Sequence, residues 1–213
     1  MIINKIEIEN FRNIKNMCVD IDKSIVLIQS KDIHATSMYS LGKTNFLNAI
    51  LWCFCKKIKY GGVDVNMDTF FDFKNKRINE FNISVKITFK DESGQTYQAQ
   101  RIVKHTYQKK SDKSLKIEGG YYTTEELFFN EKAYSFGDLL DKTKDFILPH
   151  FIDNFGDCAM DRYGDIIKNE IEKANNNQIF ITSYDNHSSE PIVQNILNEL
   201  KKDYQIITVN KKV

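Results

Sequence analysis

Gly42-Lys43-Thr44 is the group of residues best suited to chemistry in this chain. It stands between the apolar run Ile25-Val26-Leu27-Ile28 and the helix-like run Asn45 to Phe54. Gly-Lys-Thr between a buried strand and an apolar helix is the second half of a phosphate-binding (Walker A) loop. In such a loop Lys43 reaches the β and γ phosphates and the Thr44 hydroxyl binds Mg²⁺. The N–H groups from Leu41 to Thr44, at the positive end of the helix, receive phosphate oxygens. Gly42 allows the close backbone approach. The first half of the motif is altered. It wants glycine where Ser37 stands, in Ser37-Met38-Tyr39-Ser40-Leu41-Gly42-Lys43-Thr44. Bulky Met38, Tyr39 and Leu41 resist the conformations that wrap a phosphate.

The other reactive side chains are scattered. His34 and His187 have no partner at metal-ligand spacing and read as loop histidines. Cys18, Cys53, Cys55 and Cys158 show no zinc-type spacing, so they read as thiols of a reduced compartment. Lys plus Arg total 30 against 29 for Asp plus Glu. No global field therefore draws the protein to nucleic acid, and contact with DNA requires a local patch. The basic stretch Lys104 to Lys116, with Lys109, Lys110 and Lys113, is the candidate. The N-terminus is too charged for a signal peptide, and no apolar run reaches the roughly 18 residues of a membrane span. A cytoplasmic protein without membrane contact is expected.

Periodicity supplies the elements that must hold this chemistry. Alternation predicts strands over Ile2 to Phe11 and Met17 to Ile21, and the continuous apolar run Ile25 to Ile28 predicts a strand covered on both faces. Phe46, Leu47, Ile50, Leu51 and Phe54 predict a helix from about Lys43 to Lys57. Val63 to Asn79 reads as a loop with a short helical piece. Strands over Phe81 to Lys90, Thr96 to Tyr107 and Leu115 to Tyr122 make a meander expected to form a separate antiparallel sheet. A helix follows over Ser135 to Ile147, capped by Ser135. Then come a helix over Met160 to Ala174, a strand over Gln178 to Ser183, a helix from Pro191, and a strand over Tyr204 to Val209. That alternation predicts a parallel sheet carrying helices.

Ile6-Glu7-Ile8-Glu9-Asn10-Phe11-Arg12-Asn13-Ile14, the strand Val26-Leu27-Ile28 and the run Gly42 to Phe54 together resemble the ATPase heads of the SMC type. That family lies in the ABC class and includes RecF-like and DndD-like proteins. The resemblance implies an α/β P-loop NTPase fold, with a mixed sheet, an antiparallel β meander and a short C-terminal α/β lobe. Residues 1–156 would form the N-terminal ATPase lobe, and residues 157–213 would complete the head. It further implies ATP and Mg²⁺ as cofactors, held by Arg12, Asn13 and the stretch Ser40, Leu41, Gly42, Lys43, Thr44 and Asn45. Lys43 and Asp157 would be the catalytic residues, and Thr44 and Asp157 the metal ligands. Asp157-Cys158-Ala159-Met160-Asp161 would stand for the Walker B aspartate and the loop after it, with Cys158 in the place of the catalytic glutamate and Tyr184 in that of the switch histidine. The coiled coil and the Ser-Gly-Gly signature of the family are missing from this sequence. The implied partners are a second head in a homodimer, or a larger complex acting on DNA in repair or anti-phage defence. Two rivals stand beside this reading: a pseudo-ATPase interaction module, and a DNA- or partner-binding protein that makes no use of nucleotide.

Overall fold

The structure is a computed structural model describing residues 1–12, 14–30, 42–54, 59–60, 63–64, 80–109, 119–143, 145–152, 160–174, 177–182 and 189–209. Its strands are β1 (Ile2–Phe11), β2 (Ile14–Asp20), β3 (Ile25–Ser30), β4 (Lys59–Tyr60), β5 (Val63–Asp64), β6 (Glu80–Lys90), β7 (Thr96–Lys109), β8 (Gly119–Phe129), β9 (Lys132–Tyr134), β10 (His150–Ile152), β11 (Ile179–Thr182) and β12 (Gln205–Val209). The helices are α1 (Lys43–Phe54), α2 (Phe136–Thr143), α3 (Met160–Lys173) and α4 (Ser189–Glu199).

Two large sheets enclose α1. The first is antiparallel, in the order β2-β1-β6-β7-β8-β9. Its alternating strands turn Ile6, Ile8, Ile83, Val85, Ile87, Phe89, Ala99 and Leu127 into the core, as the period of two requires. The meander is therefore not separate: β1 and β2 extend the same sheet, with Ile6 opposite Ile87 and Ile8 opposite Val85. The second sheet is parallel, in the order β10-β11-β3-β12. Successive residues of β3 serve opposite faces. Val26 and Ile28 join the core around α1, while Ile25 and Leu27 join a second core with Ile167, Ile171, Val193 and Leu197 of α3 and α4. The continuous apolar run of β3 follows from that double coverage.

The α1 helix is apolar on most of its surface because it is covered from both sides. Trp52 meets Phe11 of β1 (ring centroids 5.3 Å apart), Phe54 meets Phe89 of β6 (5.5 Å), and Phe46 meets Phe180 of β11 (6.5 Å). Near its C-terminal end, buried Arg101 of β7 donates from Nη1 to the Trp52 carbonyl (2.7 Å) and lies over the Trp52 ring, 4.3 Å from the centroid. Glu125 of β8 pairs with the same guanidinium. A cation there satisfies a carbonyl that the helix leaves open and complements the helix dipole.

Several expected boundaries move. The α1 helix ends at Phe54 among the described residues, and Lys59 and Tyr60 form β4. β5 takes Val63–Asp64 from the expected loop. β8 starts at Gly119 and runs on to Phe129, because its pairing with β7 continues to Ala99 opposite Phe129. β9 and β10 are additional strands, too short to show a period. The α2 helix is shorter than expected but starts as predicted, with the Ser135 hydroxyl accepting from the Asp138 N–H (3.2 Å). Cys53 is buried as expected of a core thiol, whereas Cys18 is exposed.

Candidate functional site

β3 is an interior strand of the parallel sheet, and α1 is the next described element after its carboxyl end in sequence. Open parallel sheets bind ligands at the carboxyl edge of their strands. Gly42 is buried with φ +81°, a left-handed conformation that side chains with a β-carbon resist. Its carbonyl accepts from the Phe46 N–H (2.9 Å) and so opens the helical ladder.

Lys43 is the first residue of α1 and only 6% exposed. An ammonium sits poorly at the positive end of a helix dipole, and burial adds to the cost. An anion at this end compensates both. The first turn of α1 contains no acidic residue. The Lys43 ammonium, the first N–H groups of α1 and the Thr44 hydroxyl are donors of the kind that suit phosphate, so the residues present fit the γ end of a nucleotide.

The turn after β1 reaches the same helix end. Asn10 and Arg12 both have positive φ, 53° and 52°. The Asn10 amide donates to the Asn82 carbonyl of β6 (2.8 Å), pinning the turn. The Arg12 guanidinium donates from Nη1 to Asn45 Oδ1 (2.5 Å). Of the expected site residues, the structure thus brings together Arg12, Gly42, Lys43, Thr44 and Asn45. Asn13, Ser40, Leu41 and Asp157 lie outside the described residues, as do Ser37, His34, His187, Cys55, Cys158 and Tyr184.

Asn48 was not singled out by sequence reasoning. It is 3% exposed, one turn beyond Thr44 and Asn45, and its Nδ2 has no acceptor among the described residues; the same holds for Trp52 Nε1 one turn further on. Asn48 follows Asn45 by three residues and Trp52 follows Asn48 by four, the spacing that puts all three on one helix face. Of the basic stretch expected to touch DNA, Lys104 is engaged by Glu126 (2.7 Å), while Lys110 and Lys113 lie outside the described residues. Among the described residues no cluster of His, Cys, Asp and Glu is arranged to hold a metal, and no helix is long and apolar enough to cross a membrane.

No family model matches the sequence, and no curated protein sequence matches it. Among solved structures the chain is similar to the recombination mediator protein RecF-ATPrS in the RecFOR pathway, with 16% identity and a TM-score of 0.46. That match covers 80% of this chain and 39% of the other. A second structure, RecF-ATP of the same pathway, matches at 14% identity and a TM-score of 0.47, over 78% of this chain and 36% of the other. The chain thus spans well under half the length of either.

Proposed function

We propose that this chain is the head of an ABC-class ATPase of the SMC/RecF/DndD-like type. It binds ATP and Mg²⁺ at the carboxyl edge of its parallel sheet, with residues 1–156 and 157–213 as the two lobes of one head. The observation that carries the reading is buried Lys43 as the first residue of α1, directly after left-handed Gly42 and fed by an interior parallel strand. Lys43 holds the terminal phosphates, α1 N–H groups hold phosphate oxygens, and Arg12 is tied to the helix end through Asn45. When bound, Mg²⁺ neutralises phosphate charge, and Thr44 is its protein hydroxyl.

Asp157 is the carboxylate partner of Thr44, in the place of the Walker B aspartate. The head then pairs with a second head, in a homodimer or a larger repair or defence complex that acts on DNA. A thiol, Cys158, stands in the place of the family's catalytic glutamate, the group that would take a proton from water. That residue favours a second reading, in which the head binds ATP without hydrolysing it and serves as an interaction module.

Equilibrium binding of ATP–Mg²⁺ to the wild type and to Lys43→Ala tests the site. A loss of at least tenfold in affinity is expected in the variant. No binding by the wild type removes the ATPase reading, and equal binding by both removes the assigned site. Turnover measured at saturating ATP separates the ATPase from the non-hydrolysing head.

A further inference from the structure

The antiparallel sheet has a second face, turned away from α1, and it carries a recess of its own. Lys86, Gln98, Gln100, Phe128 and Glu131 line a cavity of about 310 Å³ there. Strand register builds it: Lys86 of β6 is opposite Gln100 of β7, which is opposite Phe128 of β8. Each alternates with buried residues (Val85 and Ile87, Ala99 and Arg101, Leu127 and Phe129), so this row belongs to the outward face. Phe128 is half-buried and belongs to neither apolar core.

The far wall is a β8–β9 turn in which Asn130 and Glu131 both have positive φ, 47° and 65°. Residues with β-carbons resist that conformation, and the turn is held from outside. Asn130 donates its N–H to the Gln98 carbonyl (2.8 Å), and its Oδ1 accepts from the Gln98 N–H (2.9 Å). Lys86 has no carboxylate within ion-pair distance among the described residues; Glu7, opposite it on β1, is paired with Lys5 (3.3 Å). Gln100 is fixed by donating from Nε2 to the Ser84 hydroxyl (3.1 Å).

We propose that this recess binds one nucleotide unit, with its base on Phe128 and its phosphate at Lys86. A flat aromatic side chain in a polar surround offers a stacking face to any base. Gln98 and Gln100 meet the base edge, and Lys86 supplies the single cation for a phosphate. Glu131 brings two acceptor oxygens and no donor, which suits guanine, whose N1–H and N2–H₂ donors are adjacent. The volume is at the low end of the roughly 300–1,000 Å³ of ligand sites, room for one ring system and not for a folded partner. The unit is either a free nucleotide or one residue of a single strand. This proposal does not depend on the phosphate-loop reading, since α1 lies on the other face of the sheet.

GMP and a labelled oligoguanylate pentamer, titrated into the full chain carrying Lys43→Ala, test it without interference from the phosphate loop. Binding is expected, weakened about tenfold or more by Phe128→Ala. Lys86→Gln should lower affinity and its salt dependence, and Glu131→Gln should erode the preference for GMP over UMP. Binding of the pentamer alone assigns a strand, and binding of GMP alone or of both admits the free nucleotide. If neither binds, or if Phe128→Ala binds as its parent does, the proposal is overturned. Should Phe128→Ala fail to fold, Lys86→Gln and Glu131→Gln decide: unchanged affinity and base preference in both overturn it. ATP binding by Phe128→Ala with Lys43 intact should be unchanged, so failure here is distinguishable from failure of the phosphate loop.

Discussion

Gln178 pairs with the main chain of Ile3 through both ends of its amide. The Ile3 N–H donates to Oε1 (2.7 Å) and Nε2 donates to the Ile3 carbonyl (2.9 Å), across 175 residues of sequence. Nε2 also lies 3.3 Å from the Lys23 carbonyl, just before β3. A single side chain at the entry to β11 thus ties the parallel sheet to β1, beside the register shift between Ile3 and Lys5. Gln178 is 1% exposed and Ile3 is fully buried, so water cannot replace either bond. Gln178→Leu strands two main-chain groups and is expected to cost roughly 2–4 kcal/mol. Urea denaturation measures it; a loss below about 1 kcal/mol would show that the two sheets are held by apolar packing alone.

The acid side of the stability profile has a named contributor. Glu170 of α3 accepts from Lys173 Nζ (2.6 Å) and from His150 Nε2 of β10 (2.9 Å). The Lys173 bond, then that of His150, hold its carboxyl below the usual carboxylate range against partial burial. A carboxyl whose pKa falls on folding contributes stability above its unfolded value, about 4.3, and loses it as pH drops toward the lower folded value. Glu170→Gln should therefore be less stable than the wild type at pH 7 and converge with it in acid. Denaturation midpoints between about pH 7 and pH 3 read the difference; parallel curves would remove Glu170 from the account.

Metal dependence separates two aspartates. Asp157→Asn is expected to weaken Mg²⁺-supported ATP binding by about 10–100-fold, the scale for losing a group that orients a bound metal. Asp153→Asn should leave it nearly unchanged. The opposite ranking would move the role to Asp153, the residue that follows β10 in sequence.

How much of the site could be read in advance depends on the range of the forces involved. Gly42-Lys43-Thr44 announced itself by type and spacing, because a phosphate loop uses consecutive residues. Arg12 with Asn45 was reached only through family resemblance, since their hydrogen bond joins two turns far apart in the chain. β10 left no mark, since three residues show no period and its two polar followers, Asp153 and Asn154, look like loop. The recess at Phe128 was missed because its five lining residues come from three strands and a turn.

The sequence alone determined what neighbours decide: the alternation of β1 and β6, the apolar faces of α1 and α3, the double burial of β3, and the Ser135 cap. Those signals are local, because side chains two or four residues apart share a face whatever the rest of the chain does. The tertiary structure decided which strands meet. It joined β1 to β6 in one sheet, ran β10 parallel to β11, and brought Gln178 to Ile3. These pairings turn on burying two faces of α1 at once and on satisfying main-chain groups across distant segments, and no short window of sequence carries either requirement.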